Sequence, residues 1–245
     1  MRILSLVLIY SLLAHSTKAD VTLWGAEVQI GNGTARSYVE LNESNFPISL
    51  GMALQGAALD GLPGETHQYD YLLPMPEMIS FPPFKHLMIN WIPHGHDPVS
   101  IYGAPHFDFH FYMISNEVRS AITCAGSDEA VCMKRPDTEA IPPFYLPTDA
   151  GIPLMGWHWY DPRSPEFNGQ PFTATMIYGF YDGKMSFIEP MISRDFLVSR
   201  GSVDAVFPRA QKVPYEGYYP GRYQVSYDSV KDIFFVALKD FEQTP

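Results

Sequence analysis

The chain predicts a mainly β protein, a single sandwich or barrel-like body built of hairpins, with one or two short helices and long proline-rich loops. Three observations carry that expectation. Its 22 Pro and 18 Gly residues punctuate the sequence every few positions, which keeps elements short and disfavours long helices. Two turn signals, Gly31-Asn32-Gly33 and Asp182-Gly183, lie between β-prone runs, the mark of tight hairpins. Residues 106–112 alternate strictly between polar and aromatic side chains, the period of a strand with two different faces. A hydrophobic fraction of 46% is that of an ordinary globular core and excludes bulk disorder.

Residues 1–19 read as a signal peptide. Arg2 gives a positive start, residues 3–14 are almost unbroken apolar, and Thr17-Lys18-Ala19 offers small residues around a cut after Ala19. That run is too short for a bilayer, which needs ~20 apolar residues, and no other window approaches that length. Residues 20–245 are then expected to form one β-rich domain. Strands are expected over 22–30 and 34–41 around the first turn, then over 48–55, 68–73 and 87–92. The second turn joins 172–181 to 184–192, and 223–227 with 233–238 make a third hairpin. Helices are expected over 116–124, capped by Ser115 or Asn116, and over 194–200. The five prolines of 134–154 read as a long structured loop.

With 16 basic against 27 acidic residues, nothing offers the basic face that phosphate binding requires, so nucleic acid is excluded as a partner. Cys124 and Cys132 flank seven residues, and in an exported chain such a pair closes a disulfide loop. Asn32-Gly33-Thr34 and Asn42-Glu43-Ser44 are glycan acceptors in a eukaryotic secretory pathway. These features read as a secreted protein, periplasmic if the host is Gram-negative.

Four of the eight histidines fall between His94 and His110, within Pro93-His94-Gly95-His96 and Pro105-His106-Phe107-Asp108-Phe109-His110-Phe111-Tyr112. On a strand, His106, Asp108, His110 and Tyr112 share one face and Phe107, Phe109, Phe111 and Met113 the other. The polar face carries two imidazoles with a carboxylate between them, near enough on this reading to share one ion, and His96 supplies a third ligand. Imidazole suits Zn, Fe or Cu, which the sequence does not distinguish. Counting outward from Asp182-Gly183 pairs Phe180 with Met185, Tyr178 with Phe187 and Met176 with Glu189, which puts Glu189 on an apolar face. A carboxylate there is costly unless paired, protonated or metal-bound, so Glu189 is expected as fourth ligand or general base. Asp108 and His94 stand behind the ligands or as alternates. His158, between Trp157 and Trp159, lines the pocket with Tyr112. His67 and His86 carry no pattern.

No Gly-x-Ser-x-Gly elbow, P-loop or dinucleotide-binding glycine pattern is present. The expected function is therefore a His-rich divalent-metal site, used if catalytic for hydrolysis or oxidation of a small molecule. The alternative is a non-catalytic extracellular protein whose His/Tyr/Trp-rich face binds a ligand or builds a homo-oligomer.

Residues 93–96, PHFDFHFY at 105–112, GWHWYD at 156–161, FIEPMI at 187–192 and Gly217-Tyr218-Tyr219-Pro220 resemble signatures of an exported domain-of-unknown-function family, typified by a Thermus protein from an extracytoplasmic sigma-factor regulon. They run from about residue 45 to the C-terminus. The resemblance implies an exported β-rich domain and assigns no chemistry. The two cysteines and the insert around them look peculiar to this chain.

Overall fold

The structure, a computed structural model, describes residues 20–244 apart from Thr66 and Met78. The expected signal peptide lies outside the described residues. Two antiparallel sheets face each other. The first contains β1 (Val21–Trp24), β2 (Val28–Ile30), β3 (Gly33–Leu41) and β4 (Pro47–Gln55) from the N-terminal part of the chain. The second holds β5 (Tyr69–Leu73), β6 (His86–Ile92), β7 (His106–Tyr112), β8 (Leu146–Ile152), β9 (Gly156–Tyr160), β10 (Ala174–Tyr181) and β11 (Lys184–Ser193). β12 (Val203–Val206), β13 (Gly217–Asp228) and β14 (Ile233–Thr244) return to the first sheet, whose order is β1-β3-β4-β14-β13-β12 with β2 on β3. The second sheet runs β5-β6-β7-β11-β10-β9-β8. Four short helices, α1 (Val99–Tyr102), α2 (Asn116–Ala121), α3 (Glu129–Cys132) and α4 (Arg194–Val198), interrupt the strands. Among the described residues no helix is long and apolar enough to cross a membrane.

The core lies between the sheets. Val39, Leu50, Leu54, Val236 and Leu238 of the first meet Leu87, Ile89, Phe107, Phe109, Phe111, Tyr178 and Ile188 of the second. The aromatic face of β7 is thus the inward one, as alternation requires. The mainly β architecture and the hairpins are as the sequence predicts. The differences are local and each has a cause.

The run over 22–30 breaks into β1 and β2 at Gly25. A side chain there would collide with the Ser37 hydroxyl and the Pro74 carbonyl, so the backbones approach too closely for any other residue. Residues 146–152, expected as loop, form β8 against β9. Proline masks that strand, but Pro147 is tolerated because β8 is the outermost strand of its sheet and a register shift follows between Pro147 and Gly151. The helix at 116 is capped by the Ser115 hydroxyl, which accepts from the Val118 amide, and ends at Ala121, short of Cys124 with its φ of 48°. Helix α4 is capped in the same way by Ser193 and stops at Val198.

The Asp182-Gly183 hairpin carries the difference that matters most. Phe180 pairs with Met185, but Gly179 pairs with Phe187, Tyr178 with Ile188 and Ile177 with Glu189. Ser186 is the extra residue of a bulge, and one extra residue exchanges the faces of everything beyond it. Met185 and Ile188 therefore point into the core, while Phe187 and Glu189 point to the opposite face of the sheet with Ile177.

Candidate metal centre

The outer face of the second sheet is covered by excursions of its own chain. Tyr102 of α1 packs with Phe172, Ile177 and Met191 at one end, and Met155 packs with Met88, Tyr112 and Phe187 at the other. Between these apolar patches lie His106, Asp108, His110 and Glu189, all with at most 3% of their surface exposed. His106, Asp108, His110 and Tyr112 share this face as alternation predicts.

They do not share one point. The described residues form two groups whose ligand atoms lie within 4.8 Å of one another: His110, His158 and Glu189, and separately His96, His106 and Asp108. Four residues of strand carry a side chain about 13 Å along, at ~3.3 Å per residue, so one ion does not reach both His106 and His110. Asp108 joins a ligand-capable group directly. His94 belongs to neither group; it is exposed and its Nε2 lies 3.1 Å from the Gly64 carbonyl.

In the first group, three strands contribute one residue each. The β7–β11 register pairs Ile188 with Phe111 and Met191 with Asp108, which brings Glu189 opposite His110. The ladder has no pairs between those two, the stretch that holds Glu189 and Pro190, a residue with no amide hydrogen to donate. The side chain of β9 residue His158 crosses β10 to meet Glu189, and it passes over Gly179, its own pairing partner. A Cβ at Gly179 would fall 2.0 Å from the Phe187 ring, so the glycine makes room for that ring. Phe187 packs edge-on against His110 at 4.7 Å and against His158 at 5.1 Å. Glu189 Oε2 then lies 3.4 Å from His110 Nε2 and 3.5 Å from His158 Nε2. No hydrogen bond joins them: Glu189 Oε2, both ring nitrogens of His110 and Nδ1 of His158 are buried without partners.

In the second group His106 Nδ1 lies 2.7 Å from the Ala104 carbonyl, and Nε2 faces Asp108 Oδ1 at 3.4 Å, again with no hydrogen bond. The His96 ring stands edge-on to His106 at 4.8 Å and is exposed.

Burial dominates the electrostatics. It pushes the Glu189 carboxyl well above the ordinary range, helped by the negative charge of Asp108, and pushes Asp108 up likewise. It holds His110 well below its usual value, and His106 and His158 at about 4. Without a cation the carboxyls keep protons and the imidazoles stay neutral. A divalent ion reverses the balance, because ligands bind it deprotonated.

Tyr112 lies flat between His110, at 5.1 Å, and His86, at 4.7 Å, and its hydroxyl is buried without a partner. His86, which no sequence pattern marks, pairs with Tyr112 across the β6–β7 ladder and is likewise buried with both nitrogens unpartnered. Only its place at the first residue of a β-prone run could have signalled it.

Cys124 and Cys132 stand at disulfide-bonding distance, their Cα atoms 5.1 Å apart, and close over Gly151 of β8, where a side chain would strike both sulfurs. Asn32 is exposed in the first hairpin turn, and Asn42 uses its side-chain oxygen to accept from the amides of Ser44 and Phe46. Cavities of about 370 and 290 Å³ open elsewhere, the first beside Phe144 and Trp159 and the second beside Arg209 and Tyr219; neither reaches the two groups. No family model, curated protein or solved structure matches the chain.

Proposed function

We propose that the protein is a divalent-metal protein whose principal centre is His110, His158 and Glu189, and that the centre serves hydrolysis of a small molecule. One observation carries this reading. Glu189 Oε2 faces two imidazole Nε2 atoms at 3.4 and 3.5 Å with no hydrogen bond among them. Atoms held ~2.0–2.1 Å from one ion at tetrahedral angles lie about 3.4 Å apart, whereas buried polar atoms without partners cost ~1–3 kcal/mol each. Two histidines and one carboxylate are also the ligand set of hydrolytic zinc sites, which keep a fourth position for water. When bound, the ion supplies Lewis acidity to that water. Glu189 serves here as ligand, Phe187 keeps the rings in place, and burial limits the substrate to a small molecule.

The near-complete burial of His110 and Glu189 also supports a second reading, a structural ion with no exchangeable position. Elemental analysis of tag-free protein, with Co(II) substitution, separates the two. Near-stoichiometric metal, lost in His110→Ala and His158→Ala, supports a metal centre, and azide altering the Co(II) spectrum supports an open position. Absence of metal after reconstitution overturns both readings.

We also propose export to an oxidising compartment. The apolar N-terminal run with its Ala19 cut, the Cys124–Cys132 pair and the likeness to an exported family support it. Mass spectrometry of secreted protein beginning at Asp20 tests it, and would also reveal glycans on Asn32 or Asn42.

A further inference from the structure

We infer that His96, His106 and Asp108 form a second, separate site for a divalent transition-metal ion, reached from solvent on the His96 side and exchangeable. The inference rests on a geometry independent of the first centre. The segment between β6 and β7 folds back over the end of β7, and Gly95 makes the bend, with a φ of 65° and no room for a side chain against the Tyr102 carbonyl. The His96 amide then donates to that carbonyl at 3.0 Å, which sets the His96 ring over His106.

His106 carries the argument. Its Nδ1 lies 2.7 Å from the Ala104 carbonyl, an acceptor only, so Nδ1 holds the ring hydrogen and donates it. A neutral imidazole then has a bare lone pair on Nε2. That lone pair points at Asp108 Oδ1, 3.4 Å away, and both atoms are sealed from water with no other partner. Two electron-rich atoms facing each other in a buried site repel unless a cation or a proton lies between them. The separation is too long for a charge-assisted hydrogen bond, typically ~2.7–2.9 Å, and it matches two ligands around one ion. A carbonyl that fixes a histidine's tautomer from behind is also the usual support of a metal-binding imidazole. His96 adds a third ligand from the solvent side.

The two groups do not merge into one dinuclear centre. Asp108 and His110 are two residues apart on one strand face, about 7 Å, while ions that share a bridging ligand lie ~3.5–4 Å apart. The second site differs from the first in exposure: His96 is exposed, whereas the first group shows only 15% of the His158 side chain. Its ion is the one that exchanges faster.

Equilibrium dialysis of the tag-free protein against Zn(II), read by elemental analysis, tests the inference. Two ions per chain are expected, falling to one in His106→Ala and to one in His110→Ala. One ion per chain, retained in His106→Ala and lost in His110→Ala, overturns the second site and leaves the first intact. The converse pattern keeps the second site and overturns the first. Because His106 is buried, the exposed variant His96→Ala supplies a check that leaves the core untouched. It is expected to weaken one of two Zn(II) equilibria by about tenfold or more and leave the other unchanged. Two unchanged equilibria in His96→Ala overturn the inference.

Discussion

The two sheets bury one face each against the other, but they treat their outer faces differently. On the first sheet the outer face holds a small patch of Tyr38, Ala53 and Ala237 beside exposed ion pairs such as Arg222–Asp204. The buried polar residue there, Ser49, donates a hydrogen bond to the Tyr38 hydroxyl. The second sheet covers its outer face with helices and loops, and there His86, His106, Asp108, His110, Tyr112 and Glu189 lie buried with unpartnered atoms. Sealing polar side chains under cover without hydrogen bonds lowers stability. A fold that does so on one sheet and not on the other sets that face apart as its candidate site.

The contrast can be broken most forcefully with metal. At a free Zn(II) concentration a thousandfold above its Kd, linkage contributes about 4 kcal/mol, or roughly 10 °C in Tm for a chain of this size. Scanning calorimetry with and without chelator is expected to show at least that rise in wild type and in an Arg222→Ala variant, and a smaller rise in His110→Ala, which keeps only the His96, His106 and Asp108 site. An undiminished rise in His110→Ala would place the ion elsewhere.

A matched pair of glycines sharpens it next. Gly51 lies under the Tyr38 ring on the first sheet as Gly179 lies under Phe187 on the second, with clashes of 2.5 and 2.0 Å for an added Cβ. Each alanine variant is expected to cost about 1–3 kcal/mol in urea denaturation. Only Gly179→Ala is expected to weaken Zn(II) binding as well, because Phe187 holds both imidazoles. Equal metal affinity in the two variants would sever Phe187 from the site.

The third effect is acid dependence. Burial, aided by the Arg119 charge, holds His86 at about 4, below the 6.5 of an unfolded histidine. Between those values the unfolded chain binds a proton that the folded chain does not, so stability falls as pH drops from about 6.5 to 4. His86→Phe removes this one contribution, and near pH 5 it is expected to stabilise the metal-free protein by about 1 kcal/mol, less at pH 7.5. A gain independent of pH would mean packing, not titration. Smallest of all, Arg222→Ala removes a half-exposed ion pair and is expected to change stability by less than ~0.5 kcal/mol.

Much of this was legible in the sequence where the signal is local. The alternation of 106–112 fixes which side of β7 is aromatic, and Asn-Gly and Asp-Gly announce their hairpins. What escaped depends on distant contacts. The bulge at Ser186 reverses Glu189 and has no signature in the turn that precedes it. His158 reaches the carboxylate only because strand order sets β9 two places from β11 and because position 179 has no side chain. His96 meets His106 through the bend at Gly95, and chain spacing suggested one cluster where strand rise makes two. Proline hid β8, since the rule that excludes it from sheets does not hold at an outermost strand.

The order of the second sheet has a further consequence, for the time at which an ion can be taken up. His110, His158 and Glu189 come from β7, β9 and β11, and Glu189 is joined to the chain long after His110. Loop closure over such separations is slow, and none of the three meets another until β11 has inserted between β7 and β10. An ion bound by all three would therefore enter a scaffold already assembled, unlike one at His96, His106 and Asp108, which lie within thirteen residues of chain. First-row metals are selected largely by which is available. An ion held by these three residues would then record the surroundings in which the chain completed its folding, and not those in which it was synthesised.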